Sequence, residues 1–453
     1  MNDAFIPLRC ENASGSHITL GECVFEQSFL RDLAISSSFY KRAPRKIDIC
    51  NLLAVICSES VKGSPSYNDL AAAIETNNPN IGPSRQAIHL RMGPAFDAFM
   101  CKLLETVIAE RFLRDSRKLN SQEDPKTFDG FQRVLVQDST VIKLPAHFYD
   151  EFSGVSNAHT ITANSRIQAT YELISQKLLG YSIDSYSKND VLAASELNIK
   201  AGDLSLRDRG YLINDEIRRH RDAGADCIYR HKCGTTYLDP DTKEPIDLAS
   251  KLRKNSYLDI NVLLNNPSQT PVRLLSAPVD EETANTRRMK AKRENKGHNP
   301  SKKVLEMMSW TILITTISAD KADFKKLLAI YGLRWRIEVV FKSWKSHLSF
   351  DKLHRVSRNQ LFILLKARLL LVTCCTNILY QSLALPVWEI HRSKVSLIKL
   401  IKFLSSNSSN MIRAITVLFG EGDIKEFLKV IRKYCCYDHR KRKNYTQSFE
   451  DLA

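Results

Sequence analysis

Tyr331, Arg334, Glu338 and Lys345 stand at offsets of 0, 3, 7 and 14 within one segment of helical periodicity. At about 100° per residue they fall near 0°, 300°, 340° and 320°, inside an arc about 60° wide, so one helix would present all four on one side. Leu333, Ile337, Val340, Trp344 and Leu348 fall at about 180–260° on the same wheel and form an apolar face beside the polar stripe. Charged residues at helical spacing also form ordinary surface pairs, worth about 0.2–0.5 kcal/mol, so the stripe taken alone reads better as a solvated face. Two further acids shift that balance. Asp138 interrupts the strand-like run Val134–Ile142, where acids are disfavoured, and Asp208 follows a short strand at the turn into a helix. Three carboxylates from two strands and a helix, without Cys or His at suitable spacing, favour Mg²⁺ or Mn²⁺ over zinc. Two such ions about 3.5–4 Å apart activate an attacking oxygen and stabilise a leaving one in phosphodiester displacement. The expected chemistry is that of a nuclease or a strand transferase.

These side chains need elements to hold them. Up to about residue 115 the chain reads as helical, with apolar residues at helical spacing in Asp48–Val61 and Phe96–Phe112. Between them, a short helix Tyr67–Glu75, a turn Asn77–Pro83 and a second helix capped by Ser84 resemble a helix-turn-helix; two ordinary antiparallel helices fit as well. From Phe131 the pattern turns to β, with runs at Arg133–Leu144, Ile167–Leu173 and Leu178–Ser185. Asp203–Leu206, the turn Asp208-Arg209-Gly210-Tyr211, a helix to about Gly224 and a strand Asp226–Arg230 complete a mixed α/β core. After Lys232 come short β-like pieces, Tyr257–Leu264 and Val272–Leu275, that read as an insertion. It ends in the basic segment Arg287–Lys303, with Arg287, Arg288, Lys290, Lys292, Arg293 and Lys296 among its cations, either a solvated loop or a phosphate-contacting surface. A strand Thr311–Ile317, one long helix from about Lys321 to Leu348 and a helical remainder ending in the basic cluster Arg440–Lys443 follow.

Composition narrows the partners. The 453 residues exceed one ordinary core, and a net charge of +16, spread in patches, suits a polyanion. Eleven cysteines show no CxxC pair and no regular spacing, which points to a reduced, intracellular protein rather than a disulfide scaffold. His220, Cys227, His231 and Cys233 fit no common zinc spacing and read as packing residues. No secretory signal is expected from Met1–Cys10. The apolar run Leu361–Leu385 is interrupted by Lys366, Arg368, Asn377 and Gln381, so a buried helix is expected rather than a membrane span.

Three segments taken together resemble the bacterial DDE transposases of the insertion-sequence-four group. Their Tyr-x2-Arg-x3-Glu-x6-Lys signature is matched at all four positions by YGLRWRIEVVFKSWK, Tyr331 to Lys345. The strand VQDSTVIKLP resembles the segment of the first acid, with Asp138 in that place, and LRDRGYL the Asp-x-Gly-aromatic turn of the second, with Asp208. The stretch from Asp208 to Glu338 is long enough for the β-rich insertion of this group. The resemblance covers Phe131 to Lys345 well and the flanks loosely.

It implies an α/β fold with a ribonuclease-H-like mixed-sheet core, interrupted by a β-rich insertion and flanked by N- and C-terminal helical regions. The parts would be a helical DNA-binding region at 1–115, core at 116–232, the insertion at 233–309, core again at 310–352 and a helical region serving dimerisation at 353–453. It implies cut-and-paste transposition through hydrolytic nicking, hairpin formation and strand transfer, with Asp138, Asp208 and Glu338 holding two Mg²⁺ or Mn²⁺ ions. Tyr331, Arg334 and Lys345 would grip phosphates, and Trp310 would stack on a flipped base, although a core Trp beside a strand reads the same way. Arg209, Arg230, Arg287, Arg288, Lys290, Lys292 and Arg293 would add DNA contacts. The partners would be double-stranded DNA, as terminal inverted repeats and as target, and a second copy of the chain, in the bacterial cytoplasm. A nuclease without strand transfer, or an inactive DNA-binding descendant, would share most of these features.

Overall fold

The computed structural model describes residues 9–11, 17–19, 27–42, 47–79, 82–109, 128–154, 161–255, 257–294, 299–406 and 424–437. Two compact units divide the chain: 1–122, 139–187 and 336–441 form the first, and 123–138, 188–335 and 442–453 the second.

In the first unit, strands β1 (Arg9–Glu11) and β2 (His17–Thr19) pair antiparallel. Helices Gln27–Ser36, Ile49–Ser60, Tyr67–Asn77, Arg85–Arg91 and Pro94–Ala109 follow. The expected helix pair is present with its caps. The Ser66 side chain accepts from the Asp69 backbone while Asp69 accepts from the Ser66 N–H, and Ser84 accepts from Ala87 N at 3.2 Å. Strand β3 (Arg133–Leu144) crosses from one unit to the other after Asp138. Its later half neighbours β4 (Ala163–Glu172), which pairs antiparallel with β5 (Lys177–Ser185).

The apolar run forms a helix, Arg358–Thr373, that continues through a π-helical stretch, Cys374–Tyr380, into Gln381–His391. By length and composition it could cross a membrane, but it is packed on the helices at 49–60 and 94–109, and 83% of its apolar window is buried. Lys366, Arg368 and Asn377, three of its polar interruptions, are spent inside the unit. Lys366 bonds Asp97 at 2.6 Å, and Asn377 both accepts from Leu178 N and donates to Leu178 O. Arg368, fully buried, donates to the carbonyls of Ser60, Gly63 and Ser349. Each bond satisfies a group that would otherwise be desolvated alone.

In the second unit seven strands run in the order β3-β6-β7-β11-β10-β9-β8, where β6 is Asp203–Arg207, β7 Asp226–Arg230, β8 Tyr237–Leu238, β9 Leu258–Leu264, β10 Pro271–Pro278 and β11 Trp310–Thr315. Strands β3, β6 and β7 are parallel; β11, β10, β9 and β8 add on antiparallel. Every residue of β6 is buried, as suits a parallel strand covered on both faces. A cluster including Tyr211, Ile217, Tyr229, Leu264, Leu274 and Ile314 forms the core. The fold is therefore mixed α/β with a ribonuclease-H-like succession of strands, and the strands of the insertion extend the core sheet.

Two expectations change. The long helix from Lys321 breaks into Phe324–Gly332 and Trp335–His347, with tight turns bonding Leu333 N to Ile330 O and Arg334 N to Tyr331 O. Tyr331 and Arg334 therefore do not share one helical wheel with Glu338 and Lys345. The start of the basic segment is not a loop but part of a helix, Glu281–Glu294, in which Ala284 is the one fully buried residue among those described. It lacks an apolar stripe, so periodicity could not reveal it. Lys296 and the Arg440–Lys443 cluster lie outside the described residues.

Replacing Arg368 by Met keeps an unbranched stem but removes the guanidinium bonds to three carbonyls, of which those of Ser60 and Ser349 keep their backbone donors Gly63 N and Lys352 N. A stability loss of about 3 kcal/mol is expected in urea unfolding, a lost charge-assisted hydrogen-bond set outweighing the gain in apolarity; an unchanged midpoint would refute this account of the helix.

Candidate active site

The site begins with a register. Strands β3 and β6 run parallel with Gln137 opposite Arg207 as their last paired positions. Asp138 and Asp208 are the next residue on each strand, so alternation sends both side chains to the same face of the sheet, on chains about 4.8 Å apart. Both are partly exposed, Asp208 just past the carboxyl end of β6, where α/β sheets place ligands, and Asp138 within β3 where its pairing with β6 stops.

The turn after Asp208 explains its sequence. Tyr211 N closes on Asp208 O at 3.0 Å, and the Tyr211 ring is buried in the core cluster. A Cβ on Gly210 would stand 2.9 Å from the tip of the Asp190 side chain, which would have to swing aside to admit it.

Cations and a phenol surround the two acids. Arg334 Nη1 donates to Asp138 Oδ2 at 3.1 Å. The Tyr331 hydroxyl donates to the carbonyl of Arg207 at 3.4 Å, beside Asp208, and its ring lies 6.0 Å from the Arg334 guanidinium. Burial, chiefly, and the neighbouring Asp208 charge push the Tyr331 phenol well up, against Arg334 and Arg230, so it stays a proton donor. Arg287 donates to Trp310 O at 3.1 Å and to the Thr311 hydroxyl. Its pKa is lowered, mainly by burial and next by Arg230, so two like charges stand close together beside β11, a place that favours an anion.

Beneath Asp208 lies a group that sequence reading missed. Arg207 is fully buried, donating to Glu216 at 3.0 Å and to the Tyr229 hydroxyl at 3.1 Å, while Arg219 grips the same Glu216 at 2.8 Å. The one available signal was a cation alternating with Asp203 and Ser205 on the strand DLSLR, which reads as an ordinary solvent-facing position; Glu216 sits in the polar helix NDEIRRHRD and gave none. His220, lowered to about 4 first by burial and then by Arg207, stays neutral between Glu216 O and Ser205. His231 bonds the Tyr237 hydroxyl, and the Cys227 thiol is buried 3.9 Å from the Thr316 hydroxyl, so these side chains serve packing.

The remaining sequence-picked residues divide. Glu338 and Lys345, seven positions apart on the helix Trp335–His347, share one side of it, and Ile337, Val340 and Trp344 are buried as the apolar face required. Burial lowers the Lys345 pKa against the pull of Asp351. Trp310 is half-buried and packs against the core cluster. Arg288 is engaged with Leu305 O, Ser309, Asn285 and Glu281. Arg209, Lys290, Lys292 and Arg293 are exposed.

Among the described residues no three His, Cys, Asp or Glu side chains are gathered closely enough to hold one metal ion. The donor chemistry of Asp138 and Asp208 nevertheless suits a hard cation, since two neighbouring carboxylates require positive charge and Arg334 already supplies it to one of them.

The match to known transposases makes this chain an enzyme of the polynucleotidyl transferase type. Residues 129–375 match the family described as Transposase DDE domain, and the chain belongs to that family, whose members work with divalent metal ions. It is similar to the transposase for insertion sequence element IS231E of Bacillus thuringiensis subsp. finitimus, at 23% identity over 78% of this chain and 77% of that one. The transposase for insertion sequence element IS1151 of Clostridium perfringens is 22% identical over 81% of each chain. Among solved structures, a piggyBac transposase synaptic complex with hairpin DNA aligns over 93% of this chain and 86% of its own, at a TM-score of 0.44 and 8% identity. The chain is a transposase of the insertion-sequence kind.

The buried Glu216 makes a pH prediction. Burial alone would raise its pKa, but the hydrogen bond from Arg219 and the charge of Arg207 bring it below the usual range. A depressed carboxylate contributes stability above its unfolded pKa of about 4.3 and loses it as pH falls through the folded value. Glu216→Gln is expected to cost about 3 kcal/mol at pH 7, because Arg207 is left buried and unpaired. Denaturant midpoints should show the gap from wild type shrinking as the pH is taken below 4; a gap that widens there would contradict the ion pair.

Proposed function

We propose that this chain carries out cut-and-paste transposition of an insertion sequence, with Asp138, Asp208 and Glu338 as its catalytic acids. The observation that carries the reading is the in-register pair Asp138 and Asp208, met by Arg334 and Tyr331. In the first step water attacks a phosphorus at the element's end, leaving a 3′-OH on the element and a 5′-phosphate on the flank. The 3′-oxygen then loses its proton and attacks the opposite strand, closing a hairpin as that strand's 3′-oxygen leaves and takes up a proton. Water reopens the hairpin, and the renewed 3′-OH attacks target DNA in the same way.

Two Mg²⁺ or Mn²⁺ ions held by the three acids would supply activation of the attacking oxygen and charge for the leaving one. Arg334 is placed to give up part of its bond to Asp138 and grip a phosphate, with Tyr331 donating from a buried, permanently protonated hydroxyl. Lys345 adds a cation from the helix of Glu338. The crowded Arg230 and Arg287 would take a second phosphate, with Arg209, Lys290, Lys292 and Arg293 as outer contacts. The bound DNA would be the element's terminal inverted repeats and then the target, held by two copies of the chain. Residues 1–115 would serve DNA binding, 116–232 and 310–352 catalysis, 233–309 strand handling and 353–453 dimerisation.

Glu338→Gln is expected to bind element-end DNA as wild type does yet fail to nick it in Mg²⁺, read on denaturing gels with labelled ends; undiminished nicking would end the assignment of that acid. For Trp310→Ala the expectation is normal first-strand nicking with a several-fold lower hairpin yield, since stacking of a flipped base contributes about 1–3 kcal/mol. Equal hairpin yield would leave Trp310 as the packing residue its contact with the core cluster also allows.

A further inference from the structure

The helix Ile424–Cys435 buries Phe427, Leu428, Ile431 and Cys435 and packs on the helices Gln381–His391 and Leu397–Ser406. Its other side carries Lys425, Lys429, Arg432 and Lys433, all exposed. Offsets of 0, 4, 7 and 8 place these four within an arc of about 100°, clear of the buried face. One acid stands near them, Glu426, 3.4 Å from Lys429; among the described residues Lys425, Arg432 and Lys433 have no carboxylate partner. The stripe also has an aromatic edge, since Lys433 lies 5.2 Å from the Tyr434 ring, which is exposed and stacks in parallel on Phe403.

The positive surface does not end at this helix. Lys402, exposed and adjacent to Phe403, is near enough to His347 to help lower its pKa after burial, and His347 ends the helix that carries Glu338 and Lys345. On the other flank His391 is lowered by slight burial and then by Arg432 and Lys429. A basic path therefore runs within the first unit from the Lys345 end of the catalytic helix to the C-terminal helix.

We propose that this face, Lys425, Lys429, Arg432 and Lys433 with Lys402 leading toward His347, is a sequence-independent docking surface for the phosphate backbone of duplex DNA. A merely soluble face mixes both signs of charge, and the centre of a protein interface is depleted in Lys. A one-sign stripe rimmed by an exposed tyrosine matches a polyanion. The inference rests on the transposase reading and assigns DNA to a region that sequence alone suggested for dimerisation.

The test uses the full-length protein in EDTA, so that no cleavage intervenes, and fluorescence anisotropy with two duplexes of equal length, one bracketing its own coding region and one unrelated. The variant Lys425→Gln/Lys429→Gln/Arg432→Gln/Lys433→Gln changes exposed side chains alone, and its fold is checked by circular dichroism. Expected are a roughly tenfold or greater rise in Kd for both duplexes at low salt and a log–log salt slope shallower by about 2–4, each lost phosphate contact contributing about 0.9. Unchanged Kd and slope overturn the proposal, as does a loss confined to the element-end duplex, which would mean base reading. A changed sedimentation coefficient with DNA binding intact overturns it in favour of a protein interface. Failure of the wild type to bind either duplex would instead strike at the transposase reading.

Discussion

Two carboxylates set side by side repel, and much of the second unit can be understood as the answer to that repulsion. At a separation of about 5 Å and an effective dielectric near 20, two unit charges cost about 3 kcal/mol. The parallel register of β3 and β6 ends one residue before Asp138 and Asp208, and side chains on neighbouring strands at that spacing would meet such a cost. The surroundings offset it with cations at three depths. Arg334 bonds Asp138 directly, Arg230 stands near Tyr331, and the buried Arg207 sits one residue before Asp208 on the same strand. Arg207 could not itself remain buried without Glu216, and Glu216 holds Arg219 as well. The acid pair, its guanidinium and the ion pair beneath therefore form one electrostatic unit built on one strand register.

The strands were legible because alternation and β-branched runs leave a mark that survives burial. β3 and β7 begin and end where the sequence pattern places them, and β9, β10 and β11 differ by a few residues at their ends. Caps were legible for the same local reason, since a side-chain oxygen before a helix has few other uses, as Ser84 illustrates. The long helix was not. Tyr331, Arg334 and Glu338 keep helical spacing, but the chain spends two residues in tight turns at Leu333 and Arg334, which nothing in GLRWR announces. The helix Glu281–Glu294 was hidden because it is held by polar bonds from Arg287 and Arg288 to the region of β11 rather than by an apolar stripe.

The acids of the site show the same division. Asp138 is conspicuous because an acid in a strand conflicts with its setting, and such conflicts concentrate at functional positions. Asp208 became readable through its place after a short strand and through the Gly210 and Tyr211 that follow it in the turn. Arg207 and Glu216 carry no such mark. Each is ordinary in its own segment, and their pairing across nine residues is a property of the fold alone.

The break before the helix of Glu338 has a mechanical consequence. A continuous helix would fix Arg334 and Glu338 in one rigid stripe, so that any movement of one would carry the other. With the turn at Leu333 and Arg334 between them, Arg334 can be oriented by Asp138 and Tyr331 while Glu338 and Lys345 are oriented by the burial of Ile337, Val340 and Trp344. The guanidinium is thus coupled to the acid it neutralises rather than to the helix that follows it. If Arg334 first balances Asp138 and then holds a phosphate, as proposed, the turn leaves its backbone outside the regular bonding of a helix interior while it changes partner.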